Sequence, residues 1–285
     1  MKMCLKLIAS TLGFGMLMAL APAAAQAADL PLPSGALKAV ERAVGTSTTM
    51  NESVALPARA GQAVRINGHA AGAQLEILPA LSGSRAAVTE GGTTVVSDAT
   101  RSVAVQPLPD GVRLMSVLAD SSSPTSTTFR VSLPAGESLR LDVLGGVLVL
   151  RDGKAVGRFN APWAVDAAQN SLPTSYTVTG DAITQTVDTR GAQFPVVADP
   201  HYTWGWVTGT VFFNKSETTK MAASAAFVAA LGAFLPPPFD ILVVASAGII
   251  ALKAGFALAD NACIAVVSNG DIHEYSGNAG DGYCR

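Results

Sequence analysis

Charge is scarce in this chain. Asp, Glu, Lys and Arg make up 14% of its 285 residues, and the formal net charge is -2. No run of Lys and Arg exceeds two residues. That argues against nucleic acid as a partner, because phosphate binding draws on clustered basic side chains. It also argues against long disorder of the highly charged kind. Histidine is scarcer still: His69, His201 and His273 are the three, and no two stand one helical turn apart as a zinc site asks. There is no GxSxG elbow, no P-loop and no dinucleotide fingerprint; "SGNAGDG" lacks the flanking strand and helix. His69, in "INGHAAG", reads as a turn or surface residue. His201 with Asp199 suggests a carboxylate-oriented imidazole, but no serine or cysteine nucleophile stands out beside it. The chain therefore reads as non-catalytic, with no cofactor and no metal. A hydrolase whose residues converge only in the fold is an alternative.

Cysteine is also rare, with three in the chain. Cys4 lies before the first apolar run, so it cannot be the lipidated first residue of a lipoprotein. Cys263 and Cys284 are the other two. In an oxidising compartment they would most simply pair. Between them "IAVVS" and "IHEY" flank Asn269-Gly270, a hairpin dipeptide.

The first residues supply the compartment. Lys2 and Lys6 precede an apolar run from Leu7 to Leu20, then Pro22 and Ala25-Gln26-Ala27. This is the pattern of a secretory signal peptide cleaved after Ala27. The run is short of the roughly 20 residues of a spanning helix. Without paired arginines, the general export route is expected. The protein is then secreted or extracellular, with envelope association as an option.

Residues 28–52 contain Pro31, Pro33 and Gly35 and a polar stretch, and read as a linker with some order. Within it, Leu37, Val40 and Val44 fall near helical spacing. From residue 53 to 200 the signals are those of an antiparallel β domain, a sandwich or barrel. "SYTVTG" and "ITQTV" alternate with period two. Asp152-Gly153, Gly180-Asp181 and Asp110-Gly111 each separate two apolar runs, as hairpin turns do. Helices would not tolerate three such breaks.

"PLPDGVRLMSVLAD", "APWAVDAAQNSLPTSYTVTGDAITQTVD" and "FPVVADPH" resemble a domain that recurs in secreted proteins of actinobacteria with no assigned activity. The resemblance implies export and an envelope or extracellular setting, and no reaction. The residues of its motifs read as structure. Trp163 would cap the core at a strand end, and Asp166 would tie down the following loop. Asp199-Pro200 reads as a strand exit, since proline has no donor.

Residues 201–262 carry an aromatic strand and a helical hairpin. Trp204, Trp206 and Phe212 share one side of an extended Thr203–Phe213, and Val207, Val211 and Phe213 share the other. Asn214 and Glu217 have the spacing of a capping box, so a helix starts near Lys215. It should run through "SETTKMAASAAFVAALGAF" to Pro236-Pro237-Pro238. A second helix follows from Asp240 to about Asn261, apolar around most of its circumference. Ala247, Ala251 and Gly255 form a ladder of small residues suited to close helix contact. Residues 263–285 form the closing hairpin. The whole is α+β.

Two functions compete. In the first, the chain is a soluble secreted or cell-envelope protein whose hairpin packs on itself or on the β domain. In the second, the tail contacts membrane or cell wall, as in helical-hairpin bacteriocins, with Trp204 and Trp206 at headgroup depth. The tail is not cationic: Lys215, Lys220, Lys253 and Arg285 face Glu217, Asp240, Asp260, Asp271, Glu274 and Asp281. Membrane-surface helices usually carry a basic face. The soluble reading is therefore preferred, with the ligand unknown.

Overall fold

Period-two alternation in residues 54–203 becomes two stacked antiparallel sheets, seen in a computed structural model. It describes residues 34–46, 51–59, 61–69, 73–81, 88–90, 92–98, 101–109, 111–204, 210–233, 235, 239–267, 269–277 and 284. The signal-peptide segment, Asp110, Trp206 and Pro236-Pro237-Pro238 lie outside these residues. The smaller sheet joins β1 (Val54–Ala55), β2 (Val64–His69), β3 (Ala73–Pro79), β8 (Ser126–Ser132), β14 (Ala182–Val187) and β13 (Thr174–Thr179), in that order. The larger runs β4 (Val88–Glu90), β5 (Thr93–Ser97), β6 (Ser102–Leu108), β7 (Gly111–Leu118), β16 (His201–Thr203), β11 (Lys154–Phe159), β10 (Val147–Arg151), β9 (Glu137–Leu141). Two further strands, β12 (Ala164–Val165) and β15 (Val196–Ala198), join it beside β7.

The larger sheet is a middle layer, and its sequence explains why. β10 reads "VLVLR" without polar alternation, the mark of a strand covered on both faces. Val147 and Val149 enter the core between the sheets, with Phe129 and Ile183. Leu148 and Leu150 enter a separate core on the opposite face, with Met221 and Ile250 of the tail. β7 repeats the arrangement. Val112 and Leu114 face the sandwich, while Met115 and Val117 face α1 (Ser34–Val44). Thus α1 is docked rather than a loose part of a linker. Leu37, Val40 and Val44 are buried as their spacing predicts, and Ala39 and Ala43 join them.

The turns follow their residues. Asp152 and Gly153 both have positive φ between paired Arg151 and Lys154. Gly180 has positive φ between Thr179 and Ala182. At the third site the expectation shifts: Gly111 pairs with Leu108, so it belongs to β7 rather than to the turn.

Among the described residues the tail has four helices where two are expected: α2 (Lys215–Ala223), α3 (Ala225–Gly232), α4 (Phe239–Ala245) and α5 (Ala247–Ala259). Ser224 breaks the first predicted helix. It is extended, and its hydroxyl accepts from Phe227 N–H at 3.3 Å, so a serine that competes for backbone partners ends one helix and caps the next. Ser246 only bends the second, because Ser246 N–H still donates to Leu242 O and Ile250 N–H to Ser246 O, both at 2.9 Å. The aromatic run is not one strand among the described residues. β16 belongs to the large sheet, whereas β17 (Thr210–Phe212) joins β18 (Cys263–Val267) and β19 (Ile272–Tyr275) in a small third sheet. Cys263 and Cys284 form the disulfide. Tyr275 reinforces that corner by donating its hydroxyl to Phe213 O at 2.9 Å.

Candidate functional site

Two features stand apart from ordinary packing: a buried ionic joint and an exposed apolar face.

The joint centres on Arg158 of β11, which is fully buried. Its Nε donates to Asp142 Oδ2 at 2.6 Å, its Nη1 to Asn160 Oδ1 at 3.0 Å, and its Nη2 lies 2.6 Å from Glu217 Oε1. Each carboxylate is also held by backbone. Asp142 Oδ1 accepts from Leu144 N–H and Gly146 N–H, both at 2.8 Å. Glu217 Oε1 accepts from Ala161 N–H at 3.2 Å, and its Oε2 from Asn214 N–H at 2.9 Å. Asn214 Oδ1 in turn accepts from Glu217 N–H at 2.9 Å, completing the capping box of α2. Burial would lower the pKa of Arg158, but Asp142 and Glu217 outweigh it and raise it. So the capping box predicted for the helix start does a second job: its glutamate neutralises a cation of the β body.

The network continues across the sheet. Asn160 Nδ2 lies 3.2 Å from His201 Nδ1, which accepts. The imidazole is therefore positioned by Asn160, and the Asp199–His201 pairing expected from their spacing is not formed. Instead Asp199 Oδ1 faces Trp163 N–H at 3.4 Å. Asp199 Oδ2 has no hydrogen-bond partner among the described residues. Burial pushes the Asp199 carboxyl up to about 8, against the pull of Arg113 and the Trp163 N–H. Burial, with Arg113 and Arg158 nearby, holds His201 well below its usual value and neutral.

Asp199-Pro200 follows the end of β15 at Ala198, but the chain does not leave the sheet there. β15 and β16 both pair with β7, on either side of Asp199-Pro200, and Pro200 O accepts from Leu114 N–H at 2.8 Å. The proline interrupts one strand pairing, which then resumes. Asp166 holds its loop: Oδ1 accepts from Ala168 and Asn170 N–H, both at 2.9 Å, and Oδ2 from Gln193 N–H at 3.2 Å. Trp163 packs against the core beneath α1, and Trp204 against the sandwich core, 6.3 Å from the Tyr202 ring. The predicted residues thus fall into separate places. Asn214, Glu217 and Asp199 lie near the network, Trp163 binds Asp199, and Asp166 and Cys263–Cys284 are elsewhere. Arg158 and Asp142 were not foreseen. The available signal was Arg158 itself, a charge next to Phe159 in a strand otherwise read as apolar.

Chemically the joint is closed. A cation sits between two carboxylates with their backbone donors engaged, away from solvent. The two described cavities are about 10 Å³ each, room for a water and no substrate. One is apolar, lined by Phe213, Met221, Leu231, Val243 and Ile250 among others.

The second feature lies on the outside of α4 and α5. Ile241 is 71% exposed, Leu252 60% and Phe256 58%; Val244 and Ile249 are exposed as well. The opposite side of the same helices supplies Val243, Ala247, Ile250, Ala254 and Ala257 to the tail core. The expected small-residue ladder is not the packing seam. Ala247 is buried, but Gly255 is exposed, with nothing within 4 Å of where a Cβ would stand. Close helix contact occurs instead at Gly232, where a Cβ would meet Val244 Cγ2 at 2.8 Å. Among the described residues no helix is long and apolar enough to cross a membrane. No model of a protein family, no curated protein and no solved structure matches the chain.

Proposed function

We propose that this is a non-catalytic, exported envelope protein whose β body carries a helical tail that docks in the plane of a lipid surface. The observation that carries this is the largely apolar outer side of α4 and α5, with Ile241, Val244, Ile249, Leu252 and Phe256 exposed and Lys253 exposed beside them. The largest apolar patch on a soluble monomer, about 300–600 Å², is often a functional contact surface. Half of each helix is already committed to the tail core, so these helices lie along a membrane rather than through it. Export rests on the N-terminal charge, apolar run and "AQA".

Area favours lipid over a second copy of the chain. The 7 and 13 residues of α4 and α5 span about 30 Å at about 1.5 Å each. One side of a helix about 10 Å across then offers about 300 Å². A stable protein interface buries about 800 Å² per partner. Immersed in acyl chains, the same area contributes up to about 7 kcal/mol at about 25 cal/mol per Å².

The test is co-flotation of residues 28–285 with phosphatidylcholine vesicles. Binding should be lost in Leu252→Asn/Phe256→Asn, with the melting temperature retained. Absence of the wild-type protein from the vesicle fraction would overturn the proposal. N-terminal sequencing of exported protein should read from Ala28; a chain still beginning at Met1 would remove the export half.

A further inference from the structure

The two cavities are equal in size and opposite in lining. We propose that the one between the sheets is a binding site for a single ordered water, held by Ser116 and Arg101, and that the one in the tail stays dry.

The site is built by strands that turn polar at the same end of the sandwich. Along β7, Val112 and Leu114 face the sandwich core, and period two carries that face on to Ser116. Along β8, Val131 and Phe129 give way to Thr127. Along β14, Ile183 gives way to Gln185, the residue opposite Thr127. All three polar residues are buried, Ser116 to 4% exposure. Ser116 Oγ, Gln185 Oε1 and Arg101 Nε are buried with no hydrogen-bond partner among the described residues. Ser116 and Arg101 both line the cavity of about 10 Å³, with Ser102, Ser123 and Thr127.

A space of that volume admits one water, and a buried water needs about 2–4 polar partners. Arg101 Nε can only donate, and the Ser116 hydroxyl can donate or accept. The water therefore accepts from Arg101 and exchanges a hydrogen bond with Ser116, with the hydroxyls of Ser102, Ser123 and Thr127 around it. The ligand is neutral. An anion would gain little from Arg101, because Asp98 Oδ2 already lies 3.8 Å from Arg101 Nε, too far for a hydrogen bond but close enough to offset its charge. The tail cavity has the same volume, but every residue lining it is apolar, Phe213, Met221, Leu231 and Val266 among them. Cavities lined in that way stay dry.

Magnetic relaxation dispersion of the water oxygen counts the long-lived internal waters of residues 28–285. Ser116→Val fills the sandwich cavity and removes its hydroxyl, so the count should fall by one. Val266→Ile fills the tail cavity, and the count should not change. An unchanged count in Ser116→Val, or a fall in Val266→Ile, would overturn the proposal. A crystal of the wild-type protein grown in bromide keeps the test open even if Ser116→Val does not fold. It should show an oxygen-sized peak about 3 Å from both Ser116 Oγ and Arg101 Nε, without anomalous signal, and no peak in the tail cavity. An empty sandwich cavity would remove the site, a bromide there would make it an anion site, and a peak in the tail cavity would overturn the dry half.

Discussion

Removing the Glu217 carboxylate tests whether the ionic joint holds tail and β body together. In Glu217→Ala, Arg158 keeps Asp142 and Asn160 but loses an oxygen at 2.6 Å, and the guanidinium has no exposed surface through which water could replace it. Leaving one partner of a buried pair uncompensated costs about 3–5 kcal/mol. Because Asp142 remains, the lower end applies. The backbone N–H groups of Asn214 and Ala161 also lose their acceptor. Loss of half a capping box adds about 1 kcal/mol. The expected total is about 4 kcal/mol, against a whole-domain stability of about 5–15 kcal/mol.

Urea unfolding reads this with two probes, tryptophan fluorescence for the β body and far-ultraviolet dichroism for the helices. Both midpoints should fall together, because the lost contact lies between the two parts. The sharper control is the triple variant Asp142→Asn/Arg158→Met/Glu217→Gln. Uncharged replacements of a buried triad are often tolerated, since the desolvation of three charges is no longer opposed to folding. It should be more stable than Glu217→Ala. A loss under about 1 kcal/mol in Glu217→Ala, or a triple variant no better than the single one, would refute the reasoning.

Stability should fall as pH rises from about 6.5 to about 8, because folded Asp199 keeps its proton up to about 8 whereas the unfolded chain has released it by about 4. With its folded value raised, Asp199 contributes its stability below about 4 and loses it through 8; buried neutral His201 opposes that slope below about 6.5, where only the unfolded chain gains a proton. Thermal melts across this window should flatten above pH 6.5 in Asp199→Asn; an unchanged slope would exclude Asp199 as its source. Reducing Cys263–Cys284, which closes a loop of 21 residues, should cost about 3 kcal/mol, and non-reduced protein should show no free thiol at these positions. Gly157→Ala should destabilise by about 1–3 kcal/mol, since its Cβ would overlap the Tyr202 hydroxyl, whereas Gly255→Leu should leave the melt unmoved. Equal effects of the two glycine changes would mean that α5 is covered on its outer side.

The β half was legible because its signals are local. Period two places one face, and glycine and aspartate mark Asp152-Gly153 and Gly180-Asp181. The start of α2 was legible for the same reason, since Asn214 and Glu217 meet within one turn. What stayed hidden depends on register. Arg158 meets Asp142, which precedes β10, and Glu217, 59 positions further along the chain, and no spacing in the sequence announces either contact. His201 could not be assigned to Asn160 over Asp199, because nearness in sequence favoured the wrong partner: neighbours along a strand point to opposite faces only at odd spacing, and here Pro200 breaks the alternation. The serine breaks were readable in principle. Ser224 has the N-cap preference, but an alanine-rich helix on both sides masked it.

The second helix shows why composition alone could not choose between burial and lipid. It is apolar all round, so no amphipathic pattern points inward. The structure resolves it by helix face, with large and small side chains on both. Val243, Ala247, Ile250, Ala254 and Ala257 face the tail core, and Ile241, Leu252 and Phe256 face outward together with Gly248 and Gly255. A tail selected only to pack would lose nothing by carrying polar groups at those outer positions, because surface substitutions away from contacts cost within about 0.5 kcal/mol. Keeping isoleucine, leucine and phenylalanine there has no return in the fold. On the proposed reading that return is contact with the acyl edge of a bilayer, which a strip of about 300 Å² can meet although it is smaller than a stable protein interface.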